Sequence, residues 1–176
     1  MSFLLSILIA SAAGSPVAPT RATPASQQTT QPSPWIVKGR HANWGIVCNP
    51  ANQQDCRGVQ NVTYANGQDG SGQLLELVFI AGKDKAVLFA KFPLGVDLRA
   101  GTALKIGQAP EISGTYVTCM PDGCQSFFPL TPAHVDQMKI AKTMSIGFRS
   151  MSMGNKTAVV ESSLEKFDEV IADLKG

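Results

Sequence analysis

The chain has 176 residues, 15 Lys and Arg against 13 Asp and Glu, a formal charge of +2 and 44% hydrophobic residues. That suits one ordinary domain with a real core. The basic residues are scattered (Lys38, Arg40, Arg57, Arg99, Lys142, Arg149), which argues against a nucleic-acid groove, since such a groove needs a basic stripe with stacking aromatics.

In chain order, residues 1–13 predict a secretory signal peptide. Residues 3–10 are apolar but too short to span a bilayer, and small residues follow where a peptidase cuts. No Lys or Arg precedes this run, and the first charged side chain is Arg21. Residues 14–34 are rich in Ser, Thr, Pro, Gln and Ala. They cannot bury enough apolar surface to offset their ordering entropy, so a disordered linker is expected there. The folded domain is expected over residues 35–176. Once the signal is removed, no remaining segment is long and apolar enough for a stable membrane span. The chain is therefore expected in the periplasm, or secreted to the cell surface.

Frequent glycine and scarce helical periodicity point to a β protein. Strands are expected over residues 35–37, 44–48, 59–64, 74–80 and 86–92, with turns at the polar stretch around His41, at residues 66–72 and at residues 82–85. Pro93 closes the last of these, because proline cannot donate to a ladder. Further strands are expected over 104–106, 115–119 and 124–128. A short helix near residues 131–140 follows, with Thr131 as its cap and Pro132 at its first position. Strands over 143–148 and 157–161 precede a C-terminal helix. In that helix Ser162 and Glu165 make a capping box, and Leu164, Phe167, Val170, Ile171 and Leu174 form one apolar face that packs on the sheet. The fold class expected is mainly β, an antiparallel β-sandwich.

The four cysteines form two close pairs, Cys48 with Cys56 and Cys119 with Cys124. An oxidising destination favours disulfides. Closing short loops costs the least chain entropy, which favours 48–56 and 119–124 among the possible connectivities. Asn49-Pro50-Ala51-Asn52 and Met120-Pro121-Asp122-Gly123 are turn-forming. A four-thiolate zinc site prefers about two residues between paired ligands. A redox pair prefers C-x-x-C at a helix N-terminus. Neither spacing fits.

His41 and His134 are the only imidazoles, and both are expected at the surface. Asp168 and Glu169 are expected on the solvated face of the last helix. No G-x-S-x-G, H-E-x-x-H or phosphate loop occurs. Met151 and Met153 have the Met-x-Met spacing of exported Cu(I) binders, with Met138 and Met144 nearby. The favoured reading instead places Met138 and Met144 in the core and Met151 and Met153 at an exposed hairpin tip.

Several motifs together carry a resemblance: Trp44-x-x-x-Cys48 with Cys56, then Phe92-Pro93-Leu94-Gly95-Val96. Cys119-x-x-x-Gly123-Cys124 with a following Phe-Pro-Leu comes next, and Ser163-Leu164-Glu165-Lys166-Phe167 closes the set. In order and spacing they resemble the invasion-associated locus B family of exported alphaproteobacterial proteins, over about Trp35 to Leu174. One departure is Lys166, where the family pattern usually has glycine. The resemblance implies periplasmic or surface residence and paired disulfides, and no known reaction. The expected function is a non-catalytic binding or envelope-associated module without a cofactor. Its expected partner is an envelope or host-surface protein, with a contribution to host-cell interaction or invasion. The alternative is a periplasmic hydrolase or a Cu(I)-handling protein.

Overall fold

The computed structural model describes residues 35–66, 70–82, 85–151, 154 and 156–175, so the expected signal and linker lie outside the described residues. The strands are β1 (Ile36–His41), β2 (Trp44–Asn49), β3 (Asn52–Asn66), β4 (Gly70–Ala81), β5 (Ala86–Phe92), β6 (Thr102–Ile106), β7 (Ile112–Met120), β8 (Gly123–Leu130), β9 (Thr143–Ser150) and β10 (Lys156–Ser163). Two helices, α1 (Pro132–Ile140) and α2 (Phe167–Lys175), complete the domain. Among the described residues no helix is long and apolar enough to cross a membrane.

The fold is mainly β and antiparallel, with a C-terminal helix on the sheet. The two layers expected of a sandwich prove to be parts of one curled ten-stranded sheet, in the order β1-β2-β3-β4-β5-β8-β7-β6-β9-β10. β7 belongs to both layers. Its residues Ile112 to Gly114 pair with β6, and from Thr115 onward it pairs with β8. Gly114 sits at this crossing, and a Cβ there would strike Thr102 Oγ1 and the Phe128 ring. The close approach of the layers therefore demands glycine. Pro129 lies opposite Val87 of β5 and beyond Phe127, the last residue of β8 that pairs with β7. The proline thus stands at a locally unpaired edge, where its missing N–H interrupts nothing.

Alternation sets the core. In β5, Ala86, Leu88, Ala90 and Phe92 are buried and the residues between them are not. Phe92 meets Phe148 of β9 across the layers, with ring centroids 4.9 Å apart. Two buried hydrogen bonds also cross the interior: Thr102 Oγ1 with Ser126 Oγ at 2.7 Å, and Ser162 Oγ donating to Gln60 Oε1 at 2.6 Å. Phe167 of α2 packs edge-on against Trp44 and Phe79, each at 5.1 Å between centroids. α2 sits so close to β3 that a Cβ on Gly58 would lie 3.1 Å from Val170 Cγ1.

Several boundaries differ from the sequence expectation. β3 and β4 form a long ribbon that takes in much of the expected 66–72 turn, since backbone ladders extend through polar residues that no apolar alternation marks. α1 begins as expected, with Thr131 accepting the His134 N–H at 3.3 Å and Pro132 at the first helical position. The expected Ser162–Glu165 capping box is not formed. Ser162 belongs to β10 and points into the core, paired with Met144 in register. Leu164 leaves the strand, its N–H donating to Lys142 O at 2.8 Å, and α2 starts only at Phe167. Leu164, Phe167, Val170 and Ile171 are buried as the apolar face required.

Candidate functional site

The sulfurs lie at hairpin ends. Cys48 of β2 stands directly opposite Cys56 of β3, and Cys119 of β7 opposite Cys124 of β8. Disulfides join Cys48 to Cys56 and Cys119 to Cys124. With all four sulfurs bonded to one another, none is a thiolate that could bind metal or attack a substrate.

Both imidazoles are engaged in holding structure. His134 Nδ1 accepts the Thr131 N–H at 3.2 Å and completes the cap of α1. His41 ends β1, just before a turn in which Ala42 has φ 50°. Its Nδ1 lies 2.7 Å from Glu169 Oε2 and its Nε2 lies 2.8 Å from Asp173 Oδ2. An ionised carboxylate only accepts, so the ring satisfies both partners only as the imidazolium, with both nitrogens donating. The Asp173 hydrogen bond raises the imidazole above its ordinary pKa, partial desolvation opposes it, and Glu169 adds to the rise. As the imidazolium, His41 has no free lone pair with which to serve as a base. The expectation that Glu169 sits on a purely solvated face is corrected by this contact. Residues 128 positions apart meet, and no local pattern announces it.

Met138 and Met144 are core residues, and Met151 is exposed. Met153 lies outside the described residues. Among the described residues no cluster of three or more His, Cys, Asp and Glu could hold a metal ion. An open groove of about 510 Å3 runs over the outer face of β6, β7, β9 and β10, lined by Lys105, Glu111, Ser113, Ser145 and Arg149 among others. The groove offers polar contacts, and no imidazole is among the residues that line it.

The most distinctive surface is apolar. Leu94, Leu98, Val117, Met120 and Met151 are 49–65% exposed. They come from segments that meet at one end of the domain. The Met151 N–H donates to Gly95 O at 2.8 Å, and the Asp97 N–H to Arg149 O at 3.0 Å. Phe92 packs on Tyr116 with centroids 5.6 Å apart, and the Cys119–Cys124 bridge closes the β7–β8 hairpin beside them. Asp97 caps the short turn Leu98–Ala100 by accepting the Arg99 N–H. Burial pushes the Tyr116 hydroxyl up to about 12, and the nearby Asp97 charge adds to the rise, so this phenol stays neutral. Exposed apolar groups gathered in this way mark interaction surfaces. Sequence reasoning placed only Met151 at an exposed tip and missed the rest of this site, because its members come from connections and from β7 and share no periodicity. The only signal was the presence of large aliphatic residues beside turn-forming ones.

The family model described as Invasion associated locus B (IalB) protein matches residues 44–175. Among solved structures, the fold is similar to the crystal structure of invasion associated protein b from Bartonella henselae. That match has a TM-score of 0.66 and 16% identity, and it covers 80% of this chain and 96% of that one. No curated protein sequence matches. The match over residues 44–175 takes in most of the chain and leads to one conclusion: the chain belongs to the invasion associated locus B family.

Proposed function

We propose that the protein is an exported, disulfide-stapled, non-catalytic binding module of the cell envelope. Its apolar end docks on an envelope or host-surface protein and so contributes to host-cell interaction. The observation that carries this reading is the gathering of Leu94, Leu98, Val117, Met120 and Met151 at one exposed end. The two bridges and the family membership support residence outside the cytoplasm. The engagement of both imidazoles in structural contacts supports a non-catalytic role.

The test places a photocrosslinking residue at Met120 (Met120→p-benzoylphenylalanine) in living cells, with the same residue at Glu161 on another surface as the control. A discrete protein adduct is expected from position 120 alone, in the periplasmic or surface fraction. A folded Leu98→Ser/Met151→Ser variant that carries the same crosslinker should lose the adduct. A correctly oxidised, exported chain that yields no adduct at position 120 overturns the docking surface. Retention of the mature chain in the cytoplasm overturns the envelope assignment.

A further inference from the structure

We infer that His41, Glu169 and Asp173 form a pH-sensitive latch: the imidazolium clamps two turns of α2 to the end of β1, and its deprotonation releases one of the two carboxylates. The inference rests on this cluster alone and not on the docking surface.

The geometry dictates the switch. Glu169 and Asp173 are one helical turn apart on α2, and they approach opposite nitrogens of one ring. A neutral imidazole has one N–H. On losing a proton, the other nitrogen would turn a lone pair towards a carboxylate oxygen less than 3 Å away. Two acceptors at that separation repel, so one carboxylate must withdraw. The His41 side chain is 21% exposed, which leaves it open to solvent protons. β1 and α2 lie close here: a Cβ on Gly39 would stand in ordinary contact, 3.9 Å from Asp173 Oδ2.

Other charges near the elements packed on α2 have their own partners or act elsewhere. Lys166 Nζ lies 3.3 Å from Glu169 Oε1, the oxygen that His41 leaves unused. On β1, Lys38 donates to Gln53 at 3.2 Å, and Arg40 precedes His41 in the chain. On β3, Arg57 is 3.8 Å from Asp55 and stacks on Trp35. On β4, Glu76 pairs with Lys91, and on α1, Asp136 pairs with Lys139. At the end of α2, Lys175 adds to the lowering of the Asp136 pKa. Only Glu169 and Asp173 bear directly on the imidazole.

The sign follows from linkage. The folded pKa of His41 lies above its unfolded value, so the latch is fully closed below the ordinary imidazole pKa while the carboxylates stay ionised. It opens as pH rises through the raised folded value. Phe167, Val170 and Ile171 are buried against the core independently of the latch, so the helix is expected to stay docked and the change to fall on its last turn. Asp173, Leu174 and Lys175 line an open groove of about 490 Å3 with Ile46 and the Cys48–Cys56 bridge. Loosening that turn widens this groove.

Heteronuclear NMR of the oxidised chain tests the latch. Both ring nitrogens of His41 should carry protons below the ordinary imidazole pKa, and the titration midpoint should lie above that of an ordinary histidine. Opening constants for the amides of residues 172–175, corrected for intrinsic exchange, should rise on crossing that midpoint. The expected rise is about tenfold for each unit of pKa elevation. His41→Gln should abolish the rise, and Asp173→Asn should lower the His41 midpoint. A His41 midpoint at or below the ordinary value overturns the latch. So does an equal rise in the His41→Gln variant. If His41→Gln does not fold, the Asp173→Asn midpoint decides alone.

Discussion

Lys166 adopts φ 59°, in the left-handed region where a Cβ is crowded. The conformation is forced from both sides. β10 runs on to Ser163, Leu164 must enter the core, and Phe167 must already start the helix. The chain has three residues in which to reverse, and the Phe167 N–H closes that turn on Leu164 O at 3.1 Å. Backbone conformation would therefore favour glycine at this place. A left-handed L-residue costs roughly 1–2 kcal/mol. A glycine's extra unfolded freedom takes back about 0.5–1 kcal/mol. The Lys166–Glu169 pair is exposed and contributes little. Lys166→Gly is therefore expected to stabilise the domain by roughly 0.5–1 kcal/mol, read as a higher urea midpoint at unchanged slope. A lower midpoint would contradict the strain assigned to this residue. Ser162, two places before Leu164, shows the opposite case. A residue with a helix-capping signature serves the core, because Gln60 on the facing layer needs a buried donor.

At the scale of elements, α2 is held by packing on its inner face. Phe167 fills the space between Trp44 and Phe79, and the Trp44 Nε1–H reaches Ser163 O at 3.0 Å just ahead of the helix. Truncating Phe167 to Ala leaves a cavity among rigid aromatic neighbours. The expected loss is about 3–5 kcal/mol in equilibrium denaturation. A loss under half a kcal/mol would mean that the helix is not docked as described. The apolar face of α2 was readable from spacing, since Phe167, Val170 and Ile171 repeat with the period of a helix, and Leu164, which continues that spacing, is buried just ahead of it. Where the helix begins was not readable. The last strand and the helix compete for the same residues, and strand pairing with β9 takes them through Ser163.

At the scale of the whole molecule, the curled sheet brings β10 back over β2 and β3, and two hairpins carry bridges at their ends. Each bridge closes a loop of fewer than ten residues. The chain-entropy account gives about 2–3 kcal/mol for each. That is a large share of the ~5–15 kcal/mol typical of a domain. A Cys119→Ser/Cys124→Ser variant is expected to lose about that much stability while the rest of the sheet keeps its register, as seen in backbone chemical shifts. A shift change confined to the β7–β8 hairpin and the adjoining apolar end would fit a local staple. Unfolding of the whole domain would show that the bridge is required for the fold.

Local chemistry alone determined the class of this protein and most of its elements. The alternation of residues 86–92, the Thr131-Pro132 start, the short spacing within each cysteine pair and the apolar stripe of the last helix are all written within ten or so residues. Each therefore acts before any distant contact forms. Only the tertiary structure decided how β7 divides itself between two layers, with Gly114 at the crossing. The same holds for the pairing of His41 with Glu169 and Asp173, and for the adjoining of the segments that carry the exposed Leu94, Leu98, Val117, Met120 and Met151. Those features join residues separated by tens of positions, up to 132 for His41 and Asp173. Periodicity reports which face of an element is apolar, but it carries no information about which distant element that face, or the polar one behind it, will meet.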